Sequence, residues 1–60
     1  MNRKQAAKII RDVLKEHLRM AEAVRDTTRL LAARSAAAER AIRLRRALET
    51  LRILEAADDD

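Results

Sequence analysis

Cysteine, aromatic residues, glycine and proline are all missing from the 60 residues of this chain. Without cysteine there is no disulfide and no thiolate metal site. Without aromatics there is no base-stacking platform, and the side chains that bury the most area each are gone. Without glycine or proline the strongest punctuation of a helical run is lost, and asparagine occurs only at position 2. No stretch approaches the roughly 18 consecutive apolar residues of a membrane span. The opening MNRKQAAKIIRDVLKEH carries a charge every few residues where a signal peptide would hold its apolar stretch. The expectation is a soluble chain with no membrane contact and no targeting signal, cytoplasmic if natural.

What is present is narrow in kind. Alanine, leucine, arginine, glutamate and lysine make up 40 of the 60 residues, the composition of a long helix or coiled coil. The apolar set is 13 Ala, 8 Leu, 4 Ile, 2 Val and 2 Met, a thin core of small and medium side chains. So short a chain buries little surface alone, which points to association with other chains.

The apolar positions fall into two adjacent heptad stripes. One runs Ala6, Ile9, Val13, Glu16, Met20, Ala23, Thr27, Leu30, Arg34, Ala37, Ala41, Leu44, Leu48, Leu51, Glu55; the other runs Ile10, Leu14, His17, Ala21, Val24, Thr28, Leu31, Ser35, Ala38, Ile42. Arg11, Asp12, Lys15, Arg19, Glu22, Arg25, Asp26, Arg29, Glu39, Arg40, Arg43 and Arg46 occupy the complementary, charged face. The resulting apolar face is about twice as wide as a dimeric zipper's seam, as a bundle with several neighbours requires.

The heptad phase runs undisturbed through the middle of the chain and predicts one unbroken helix, spanning about 85 Å at 1.5 Å per residue. The alternative is a hairpin of about 24 and 30 residues, with the turn near Asp26, Thr27 and Thr28 in VRDTTRL, where any of the three side chains could cap a second helix. Against it, none of them is followed at its third position by Glu or Gln, and no glycine or asparagine stands ready to close the first helix in the left-handed conformation. Either way the fold class is all-α, with residues 1–57 as a single helical oligomerisation module and residues 58–60 as an acidic frayed tail.

In the hairpin version, length and heptad layout resemble the repressor-of-primer family, which pairs two helical hairpins into a four-helix bundle and binds paired RNA hairpins. No residue motif carries over, and that family's aromatic and cysteine content is absent. The chain is also similar in style to computationally designed helical oligomers: glycine, proline, cysteine and aromatics are excluded, the surface is rich in Ala, Leu and Arg, and isolated polar residues interrupt the core. That likeness implies a de novo coiled-coil bundle that self-assembles as a homo-oligomer.

The stretch LLAARSAAAER, residues 30–40, places alanines around nearly the whole helix circumference. Small side chains admit a close neighbour, so it reads as a tightly packed waist, with the Arg34 stem lying along the apolar flank. His17 is the one residue with evident chemical potential. Symmetry between chains could bring copies together around a transition metal or a porphyrin iron, although no second histidine or Glu-x-x-His accompanies it. The competing reading is a structural boundary residue, with no metal and no cofactor. Catalysis lacks its parts: Ser35 has no base at helical spacing, and Glu22 and Asp26 belong to the solvated face. The expectation is that the chain is not an enzyme.

The rival class is nucleic-acid binding through Arg34, Arg40, Arg43, Arg45 and Arg46, which have a single nearby acid in Glu39. Base reading would also want Asn or Gln, and only Asn2 and Gln5 exist. The reading drawn from the residues is therefore a self-associating structural bundle whose interface uses Ile10, Val13, Leu14, His17, Val24, Leu31, Ala38, Ile42, Leu44, Leu48 and Leu51. Basic residues at the start and acidic ones at the end oppose the helix dipole and favour antiparallel neighbours, with Arg3, Lys4 and Lys8 near Asp58, Asp59 and Asp60.

Overall fold

A computed structural model describes residues 2–57, and among them every regular element is helical: α1 spans Arg3–Thr27 and α2 spans Leu31–Ala57, packed against each other as an antiparallel hairpin. The unbroken helix is thereby corrected. Instead of about 85 Å, the long dimension of the molecule is 46 Å. The tail at residues 58–60, and its expected approach to Arg3, Lys4 and Lys8, lie outside the described residues.

The turn forms without glycine because it needs no left-handed residue. Thr28 leaves α1 in an extended conformation, φ −76° and ψ 142°, and no described residue has positive φ. The Thr28 amide donates to the Val24 carbonyl at 2.9 Å, closing the last turn of α1. Its hydroxyl accepts from the Leu30 amide at 3.3 Å, and its carbonyl accepts from Arg34 Nη2 at 3.1 Å. Arg34 thus ties the start of α2 to the end of α1. Leu30 holds the position just before α2, and its carbonyl accepts the Arg34 amide at 2.9 Å, but its side chain has no acceptor to cap the helix. Thr27 turns back instead, donating its hydroxyl to the Ala23 carbonyl at 2.7 Å.

At the other end α1 is well capped. Asn2 Oδ1 accepts the Gln5 amide at 2.8 Å while Gln5 Oε1 accepts the Asn2 amide at 3.1 Å, a reciprocal capping box. A cap of this kind is worth about 1 kcal/mol relative to alanine. The two residues that base reading would have needed are thus engaged in starting the helix.

The seam between the helices is a heptad, but not the one that runs through the whole sequence. In α1 it consists of Ala7, Arg11, Leu14, Leu18, Ala21 and Arg25, continued by Thr28 just past its end; in α2 it consists of Ala33, Ala37, Ala41, Leu44, Leu48, Leu51 and Glu55. Each set steps by three or four, yet the phase shifts across the turn. The α2 half of the first sequence stripe is the seam, whereas its α1 half, Ile9, Val13 and Met20, is exposed. Among the described residues only Ala21, Ala37 and Ala41 are buried, and all the seam leucines are half-buried. The alanine-rich segment is accordingly a waist on one side only: Ala37 is buried while Ala32, Ala36 and Ser35 face out.

Candidate functional site: an open apolar face on α1

The α1 helix carries three faces. The seam takes one, and a charged face with Asp12, Glu16 and Arg19 takes another. The third, about 100° around the helix from the seam at 3.6 residues per turn, holds Ala6, Ile9, Ile10, Val13, His17, Met20 and Val24. Ile9, Ile10, Val13, Met20 and Val24 each leave 47% to 59% of their surface in solvent. His17 is exposed in the middle of this row. Toward the open end of the hairpin the face runs into a groove of about 600 Å³, where Ala6, Ala7 and Ile10 meet Leu51 and Leu54 and where Lys4, Lys8 and Arg11 form the rim.

The sequence-derived interface set therefore divides. Leu14, Leu44, Leu48 and Leu51 lie half-buried in the intramolecular seam, and Ala38 is half-buried beside it. Ile10, Val13, His17 and Val24 share the open face of α1, while Leu31 and Ile42 are exposed on α2. Leu18, in neither sequence stripe, is a seam residue. Arg11 and Arg25 were assigned by periodicity to the charged face and instead border the seam. Long apolar stems let an arginine occupy such a position with its head in water, which a hydrophobic pattern does not register.

Charges tie the hairpin together along one edge. Arg11 Nη2 donates to both carboxylate oxygens of Glu55, and Arg45 Nη2 donates to Glu22, so that position 11 faces 55 and position 22 faces 45. These side chains keep roughly a third to a half of their surface in solvent, so each pair contributes no more than about 1 kcal/mol. Within the helices the ion pairs at helical spacing among the described residues are i,i+3, among them Arg52 with Glu49 at 2.8 Å and Arg25 with Glu22 at 3.8 Å. The hydrogen bond from Arg52 and its charge hold the Glu49 carboxyl below the usual range. That contribution is present above the ordinary carboxylate range and is lost as pH falls through the lowered value; on a fully exposed pair it is small. Arg25 is raised by its hydrogen bond to Asp26.

Of the five arginines expected to grip phosphate, Arg45 is turned to Glu22 and Arg34 to the Thr28 carbonyl. Arg40, Arg43 and Arg46 remain exposed without an ion pair among the described residues. Within one chain no group of three His, Asp or Glu side chains is placed to hold a metal ion among the described residues, and no described helix is long and apolar enough to cross a membrane. Comparison with known proteins found no matching family model, no similar curated sequence and no similar solved structure.

Proposed function

We propose that the protein is a structural self-association module in which two hairpins pack through their open α1 faces into a four-helix bundle, with no catalytic role. The observation that carries this reading is the unsatisfied apolar surface. A compact monomer of this mass, 6.9 kDa, exposes about 4,000 Å², whereas this chain exposes 5111 Å². The radius of gyration, 14.0 Å, likewise exceeds the roughly 10 Å of a compact domain of this length. The surplus of about 1,100 Å² is polar and apolar surface together, and its apolar part on α1 is the row Ile9, Ile10, Val13, Met20 and Val24. A second copy supplies an identical long apolar face, and an isologous contact covers both at once.

Sedimentation equilibrium over a dilution series tests the proposal. The expected result is a reversible oligomer at micromolar chain and above that separates into single hairpins on dilution. A chain that is monomeric across the whole range overturns it.

Arg40, Arg43 and Arg46 favour a second reading, a basic helix that binds nucleic acid. That reading predicts retention of the chain on duplex DNA or RNA hairpins at low salt, with affinity falling steeply as salt rises, because each phosphate contact releases counterions. Three such contacts correspond to a log–log salt slope near −3 on B-DNA, at about −0.9 per contact. No retention at low salt ends it.

A further inference from the structure

His17 stands within the open face of α1 and is the one side chain of that row with a metal-binding nitrogen or oxygen atom. Ile10 lies seven residues before His17 and Val24 seven after, with Val13 and Met20 filling the turns between. Two contacts between identical copies cover this row. In the parallel one, each position faces its own copy. In the antiparallel register that overlaps the stretch from Ile10 to Val24, position 10 faces position 24 and position 17 again faces 17. A two-fold axis therefore passes beside His17 in both arrangements.

We infer that His17 is one half of a metal site completed by a second copy, where two imidazoles chelate a single divalent ion of the zinc, nickel or copper class. This rests on the self-association reading above. Helices in contact lie about 8–10 Å apart, so side chains facing each other across the axis both reach one ion at the midline, with zinc–nitrogen bonds of about 2.0–2.1 Å. Imidazole suits these ions, whereas calcium and magnesium require oxygen ligands. The surrounding Ile10, Val13, Met20 and Val24 supply no competing oxygen. Among the charged neighbours, Glu16 is next in the chain and is held by Arg19, so water fills the remaining coordination positions. Among the described residues a single chain offers no group of three such ligands, so the site proposed is one that the assembly completes.

The test uses the full chain without a polyhistidine tag, titrated with zinc chloride by calorimetry and followed by sedimentation. The expected result is one zinc per two chains and a dimer dissociation constant at least tenfold lower with zinc. His17→Ala is expected to dimerise in the absence of zinc and to gain nothing from it. His17 is exposed, so the variant's helical spectrum should match the parent's. A dimer that takes one zinc per chain, takes none, or tightens equally in His17→Ala overturns the metal site while leaving the assembly standing. A chain that stays monomeric with and without zinc overturns the assembly and the site with it.

Discussion

Ala41→Asp is expected to abolish most of the helical signal of this protein at 25 °C. Ala41 is fully enclosed, with no solvent-exposed surface, and is one of only three buried residues among those described. The substitution adds both volume and an ionised carboxylate at the closest-packed part of the seam. Burying a charge without a designed partner, or distorting the seam until water reaches it, costs on the order of 3–5 kcal/mol. A 60-residue domain holds only about 3–9 kcal/mol in total at the usual stability per residue. Ala41→Gly separates the seam effect from helix propensity, since glycine costs about 1 kcal/mol relative to alanine and leaves the packing position open. Leu48→Asp, in the same seam, is expected to be milder. Leu48 is half-buried and lines a surface depression that also holds Lys15, Arg11, Arg45, Arg52, Glu49 and Glu55, so a carboxylate there keeps water within reach. Circular dichroism melts of the three variants check the order: Ala41→Asp lowest, Leu48→Asp next, Ala41→Gly closest to the parent. An Ala41→Asp chain that melts with the parent would show that Ala41 is not enclosed in solution.

Helicity and the heptad repeat were legible in the sequence, because alanine, leucine and charged residues at three- and four-residue spacing encode little else. The hairpin was legible only as the alternative to an unbroken helix, with its turn near residues 26–28 where the structure has it, for two physical reasons. The chain exits α1 through an extended Thr28, a conformation that β-branched residues accept readily. The glycine or asparagine that marks a left-handed exit is therefore not needed. The second reason is that two different surfaces share one phase. Val13 and Met20 belong to the same sequence stripe as Ala41 and Leu48, yet they lie on an exterior face while the latter lie in the seam. Continuity of an apolar stripe shows that each segment has an apolar face, not that one surface covers it. Leu14, Leu44, Leu48 and Leu51 were found because they are apolar and in phase. Arg11 and Arg25 were misplaced because the pattern scores their charge and not their stems. The capping box has a readable signal, Asn2 followed at the third position by Gln5, and it stands at the start of α1, whereas the turn carries none.

Val13→Asp separates the two surfaces experimentally. Val13 is 49% exposed and is not a seam residue, so the isolated hairpin loses little from the change. Valine and aspartate also have similar helix propensity. In a two-fold assembly through the open face, by contrast, each copy brings one carboxylate into an apolar contact, in a helix where Asp12 and Glu16 already stand nearby. Desolvating those carboxylates costs at least about 3 kcal/mol in all, which raises the dissociation constant more than a hundredfold at 1.4 kcal/mol per decade. The variant should therefore sediment as a monomer at concentrations where the parent is oligomeric. Its melting temperature should become independent of concentration and match the parent's at high dilution. Arg19→Gln, on the charged face and ion-paired only with Glu16 in its own helix, should change neither property. The contrast with Ala41→Asp is the decisive feature: one variant loses the fold, the other only the partner. If Val13→Asp associates as tightly as the parent, the α1 face is not the contact, and the exposed Ile42 and Ile53 of α2 become the surface to substitute next.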